Sequence, residues 1–237
     1  MSDIQIPVAS MPDPARDRVR WIVEAIATFA VCILPALVGS FASSMGTSPG
    51  KDAGFAWTYG AGFAQSVSIL SFALFVMWRS GEGWKEFGFV RPRVGLDLGL
   101  AASALVVSSL LAYGFAILLY NVAPSLYPTP SESYEFAKPV SGLQRAAAFA
   151  HAAANGCAEE IVLWGLLFTR LRNISGRQSA PVFAVAAMFA SYHTYQGFYA
   201  VGCIFLIGMV HGSLFLWKPR LLPLMIAHVI LDLQILL

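Results

Sequence analysis

The chain has 237 residues, 57% of them hydrophobic and 12% charged, with a mean hydropathy of +0.67 and a formal net charge of +2. Soluble domains carry about 25% charged residues, so this composition excludes an ordinary soluble enzyme and specifies an integral membrane protein surrounded by lipid. The small net charge, spread over short connections, also excludes nucleic acid as a partner.

Residues 1–20 are polar and proline-containing, with no signal-peptide core before Trp21, and read as a cytoplasmic tail followed by a retained first span. Residues 21–237 then form one domain. Its expected fold is an all-α polytopic membrane bundle of about seven transmembrane helices, over 21–44, 56–78, 95–120, 142–172, 180–196, 198–217 and 221–237. Pro35 predicts a kink in the first span, whereas Pro181 suits a helix start. Glu24, also in the first span, is expected near an end or a neighbour and is given no special role. Gly81 to Phe89 mixes aromatic and charged residues and is expected at the membrane interface. Residues 121–141, rich in Pro, Ser and Tyr, read as a surface loop. Cys32, Cys157 and Cys203 sit in apolar stretches without metal-finger spacing and read as packing residues.

Basic residues orient these spans. Arg16, Arg18, Arg20, Arg79, Lys85, Arg91, Arg93, Arg170, Arg172, Arg177, Lys218 and Arg220 flank one side, and only Lys51, Lys138 and Arg145 the other. The positive-inside rule therefore places the N-terminus in the cytoplasm and the C-terminus outside, in a plasma or inner membrane.

Ionisable residues inside the apolar stretches point to chemistry, because a charge at a helix centre costs at least ~2.5 kcal/mol in a bilayer. Glu159 and Glu160 lie in the fourth span, His193 in the fifth, and His228 and Asp232 in the seventh. At the helical rise, Glu159 lies roughly 16 Å from the cytoplasmic end, His193 roughly 20 Å, His228 roughly 10 Å and Asp232 roughly 16 Å, all in a middle layer. His228 and Asp232 share a face, as do Asn155 and Glu159, whereas the adjacent glutamates project about 100° apart and take different roles. Alanines flanking His151 give the fourth helix a small face for close approach, as expected of a central element. Carboxylates with imidazoles and no evident Ser or Cys nucleophile favour water activation by a general base, with a polar pair at the oxyanion. Divalent-metal ligation by His193, His228 and a carboxylate is the rival, although HExxH is absent.

Four stretches in order resemble the motifs of the CPBP family, the CAAX-protease and bacteriocin-processing (Abi) intramembrane proteases. They are Ala158 to Gly165 around Glu159-Glu160, Phe189 to His193, Phe205 to Gly212, and His228 to Asp232, and the likeness covers about residues 142–237. Trp84 to Pro92 also resembles the stretch that precedes the core in many members. The resemblance implies an intramembrane endopeptidase acting on a lipidated (CAAX-type) or hydrophobic peptide or protein. Its implied catalytic residues are Glu159, Glu160, His193, His228 and Asp232, with Glu159 and His193 activating water and His228 and Asp232 stabilising the oxyanion. A carboxylate cannot donate a hydrogen bond, so Asp232 would act protonated or through His228. If a divalent metal such as zinc is the cofactor, its ligands would be Glu159, His193 and His228.

One position departs from the family pattern: Trp164 stands where an arginine follows the second glutamate by four residues, so Glu160 lacks its intrahelical partner. His211 is additional to the pattern and is a candidate replacement. Otherwise His151 and His211 read as structural, and Phe189, Phe205, Gly208 and Gly212 as packing residues. The alternative functions are a non-catalytic membrane immunity or scaffold protein that kept the protease fold, and a proton-coupled transporter. The transporter is disfavoured because neither repeat symmetry nor paired broken helices is seen.

Overall fold

A computed structural model describes residues 14–45, 55–127 and 138–237, with the side chains of 14 and 56–58 left out; most of the expected tail, Lys51 and part of the 121–141 loop lie outside it. Every regular element among these residues is helical, as the apolar runs require. The first rod runs as α1 (Pro14–Thr28), a π-helical turn (Phe29–Ile33) and α2 (Leu34–Ser44). The kink expected at Pro35 takes this form: proline has no N–H to give to residue 31, and the turn before it widens.

Then come α3 (Phe55–Ser80), a 3₁₀ turn at Trp84–Phe87, and α4 (Val94–Val122). The expected fourth span divides into α5 (Gly142–Glu160), a π-helical segment (Ile161–Phe168) and α6 (Thr169–Ser175). The bundle closes with α7 (Ala180–Ser191), a 3₁₀ turn (Thr194–Gln196), α8 (Phe198–Trp217) and α9 (Leu221–Leu236). Four stretches are long and apolar enough to cross a membrane: Ala15–Ser44, Tyr59–Ser80, Val94–Val122 and Phe198–Trp217. Two of the expected spans form shorter apolar helices, α7 and α9.

The fifth expected span differs most. Its helix ends at Ser191, and residues 192–197 turn through a 3₁₀ segment that closes on Gly197 at φ +89°. Polar residues 194–196 explain the break. Thr194 Oγ1 meets Ser40 Oγ at 2.8 Å and the Tyr195 N–H donates to the same hydroxyl at 3.1 Å, so α2 holds this turn instead of further helix.

α5 is central, packed on α3 along one side and α9 along the other. Ala148 and Ala152 are fully buried there. At Gly156 the approach is closest, because a Cβ would come within 3.1 Å of the Val229 backbone nitrogen and 3.4 Å of His228 Cβ. The small-residue face expected of this helix therefore sets how near His228 can come to the acidic pair.

The stretch after α3 is anchored by charge. Arg170 on α6 is buried and pairs with Glu24 of α1 at 2.5 Å and Glu82 at 2.7 Å, while its guanidinium lies over the Phe87 ring. Arg20 adds a 2.8 Å contact to Glu82. Arg170 is thus a core residue instead of a loop charge, and the neighbour beside which Glu24 was expected is Arg170. On the far side of the 3₁₀ turn, Arg220 grips the buried Asp97 at the start of α4, with Nε at 2.5 Å and Nη2 at 2.9 Å.

Candidate active site

Glu159 and Glu160 end α5, and the π-helical segment begins at the next residue, with all eight of its residues buried. A π turn widens the backbone by a residue per turn and re-aims the residues beyond it, a feature common near functional sites. Close packing of α5 on α9 then brings His228 between the two glutamates. Its Nδ1 lies 2.7 Å from Glu160 Oε1, and its Nε2 lies 3.2 Å from Glu159 Oε2 and 3.6 Å from Asp232 Oδ1. Nδ1 hydrogen-bonds Glu160, whereas Nε2 approaches Glu159 Oε2 as an ion-pair contact without forming a hydrogen bond to it.

Around this centre the remaining polar groups are ordered by their own partners. The Asn155 amide, one turn before Glu159, donates to Asp232 Oδ2 at 3.1 Å. The Tyr192 hydroxyl donates to Glu159 Oε1 at 3.1 Å, leaving Glu159 Oε2 buried without a hydrogen bond. Glu159, Glu160, His228 and Asp232 are thus brought together. His193 stands at the edge of the group: its Nδ1 lies 2.8 Å from the Phe189 carbonyl oxygen, and its ring packs on Phe189 and Tyr192. It interacts with Glu159 electrostatically, without a hydrogen bond. If Nδ1 donates to that carbonyl, Nε2 is the nitrogen free for chemistry.

Glu160 has replaced its missing arginine. His211 Nδ1 lies 2.9 Å from the Glu160 Oε1 atom that also meets His228. Trp164, 1% exposed, occupies the arginine position and spreads over Gly212, where a Cβ would collide with the indole and with Val182. The glycine expected to serve packing is therefore the counterpart of the tryptophan, and His211 on the same helix supplies the donor. His211 thus stands where the candidate replacement for the missing arginine was expected.

Among the described residues, Glu160, His211 and His228 offer donor atoms within 4.8 Å of one another. One carboxylate and two imidazoles form a donor set that zinc accepts, and Glu160 Oε2 and His211 Nε2 are buried without hydrogen-bond partners. These residues fit a divalent ion chemically. They differ from the set Glu159, His193 and His228 expected from the motifs, because the broken end of α7 leaves His193 hydrogen-bonded to its own helix.

Residues 142–234, the segment that carries this constellation, match the family described as type II CAAX prenyl endopeptidase Rce1-like. This match supports the resemblance of that segment to the CAAX-protease (CPBP) family. No curated protein and no solved structure matches the chain. At the level of the family, the match supports proteolysis of CAAX-type substrates, and a membrane setting agrees with the apolar helices. Two contributors within this segment escaped the sequence reading. Tyr192 is an unmarked position inside the Phe189 to His193 stretch, and Arg170 is indistinguishable by sequence from the basic residues that flank a span.

Proposed function

We propose that the chain is an intramembrane endopeptidase that hydrolyses a peptide bond in a lipidated, CAAX-type protein or peptide, with Glu159 as the base that activates water. The observation that carries this reading is the partly buried carboxylate of Glu159, tied at one oxygen by Tyr192 and left at the other, a buried atom without a hydrogen bond, 3.2 Å from His228. In the reaction, water loses a proton to Glu159 as its oxygen bonds to the scissile carbonyl carbon. The oxyanion is stabilised by the Nε2–H of His228, His193 Nε2 accepts a hydrogen bond from the attacking water, and collapse breaks the C–N bond as the proton passes to the leaving amine. Asp232, held by Asn155, fixes the charge around His228 and does not donate to the oxyanion in its ionised form. Glu160, with His211, steadies His228 from the other nitrogen. The active site then faces a substrate reached from the cytoplasmic side, with the N-terminus cytoplasmic as the basic residues favour.

A second reading comes from the Glu160, His211 and His228 group. Those residues would hold a divalent ion such as zinc, which when bound polarises the carbonyl or lowers the pKa of water. Ion entry requires both imidazoles to surrender hydrogen bonds to Glu160, so the proton-held form is the one we favour.

Both readings are tested with purified protein in liposomes, a fluorogenic farnesylated CAAX peptide, and mass spectrometry of the products in ¹⁸O-water. Cleavage on the carboxyl side of the prenylated cysteine, with one ¹⁸O in the new carboxylate, is expected to survive chelation. Loss of cleavage on chelation, with one metal per chain that disappears in His211→Ala, would establish the metal reading instead. Intact peptide under all conditions would overturn the endopeptidase assignment.

A further inference from the structure

The two oxygens of Glu159 are treated differently by the fold, and the difference originates at the end of α7. The helix stops at Ser191, so Tyr192 (φ −86°, ψ 9°) and His193 (φ −107°, ψ 14°) leave helical geometry together. Tyr192 is turned into the protein, 7% exposed, its ring packed edge-on to Phe189 at 5.8 Å and tilted on His193 at 4.6 Å. Aromatic packing therefore fixes the ring, and its hydroxyl, 3.1 Å from Glu159 Oε1, fixes the carboxylate. Glu159 Oε2 is left buried and without a hydrogen bond, on the side of His228.

From this juxtaposition we infer that Tyr192 is a positioning residue of the reaction: by holding Oε1 it selects Oε2 as the oxygen that receives the proton from water. The inference rests on the reading of Glu159 as the base. A carboxylate hinged only at its Cγ can rotate about its terminal torsion, which is broad and roughly two-fold, so without a fixed donor either oxygen could turn towards His228. The phenol removes that freedom while contributing no charge. It also uses a donor already fixed by packing, so little ordering remains to be done when substrate arrives.

Tyr192→Phe deletes the hydroxyl and keeps the ring, so it separates positioning from packing. For the farnesylated peptide, kcat is expected to fall about 10- to 100-fold, the worth of a hydrogen bond to a charged group. KM should stay within about twofold, as for an interaction that orients a reacting group without binding substrate. The melting temperature in detergent should fall only modestly, because the ring packing is kept and one donor is lost. In a Glu159→Gln background, adding Tyr192→Phe should lower residual activity no further. Infrared spectroscopy gives a readout independent of turnover: the carboxylate band that Glu159→Gln removes should shift in Tyr192→Phe. An unshifted band, or a kcat equal to that of the native protein, would overturn the inference. If Glu159→Gln itself retains full activity, the base assignment fails, and the infrared band still reports whether Tyr192 holds this carboxylate.

Discussion

Replacing His228 with phenylalanine is expected to abolish peptide cleavage and to lower stability by roughly 3–5 kcal/mol, the scale of breaking a buried charge pair from one side. Among the described residues, the imidazole is the one group that reaches Glu159, Glu160 and Asp232 together, at 3.2, 2.7 and 3.6 Å. Phenylalanine keeps the ring volume against Phe189 but offers no donor. Glu160 would keep only His211, and Asp232 only Asn155, within a segment shielded from water. The loss should therefore appear both in the cleavage assay and as a lower melting temperature in detergent. A His228→Phe protein that melts normally would show that the carboxylates do not depend on this ring.

Arg170→Met should destabilise the bundle by a similar amount, roughly 3–5 kcal/mol, although Arg170 lies outside the catalytic group. Methionine fills much of the space and removes the charge, leaving Glu24 and Glu82 to face a buried position without their cation. Arg20 reaches Glu82 and, at 4.0 Å, Glu24, but it is about one third exposed and screened by solvent. The control is the combined variant Arg170→Met, Glu24→Gln, Glu82→Gln. Replacing a whole buried ion cluster is milder than stripping one partner, so thermal unfolding should show the triple variant more stable than Arg170→Met alone. The reverse order would contradict an electrostatic role. Because α6 continues the π-helical segment after Glu160, this cluster also ties the first helix to the element carrying the acidic pair.

Much of the fold and site was legible in the sequence because membranes make composition informative. Apolar runs marked out the helical bundle, and the costly carboxylates and histidines singled out Glu159, Glu160, His228 and Asp232 before any geometry was known. Apart from the kink at Pro35, local deviation from ideal helix was not legible. Depth estimates assume 1.5 Å per residue, and they fail where α7 ends two residues before His193, a break caused by contacts from Ser40 far away in the chain. The replacement of arginine by Trp164 was visible as an absence. Its compensation, with the indole over Gly212 and His211 on Glu160, depends on which faces of three elements meet. Arg170 was hidden for a related reason: a basic residue near the end of an apolar run is ordinarily a flanking charge, and only tertiary packing places Glu24 and Glu82 around it.

The proposed reaction turns on Glu159 as the proton acceptor, and the kcat of Glu159→Gln on the farnesylated peptide tests it most directly. Glutamine preserves the shape and can still accept from Tyr192, but it cannot take a proton from water. With an unchanged melting temperature, kcat is expected to fall by roughly 10²–10⁴-fold, the range of general-base catalysis. A Glu159→Gln protein cleaving the peptide at the native rate would contradict it.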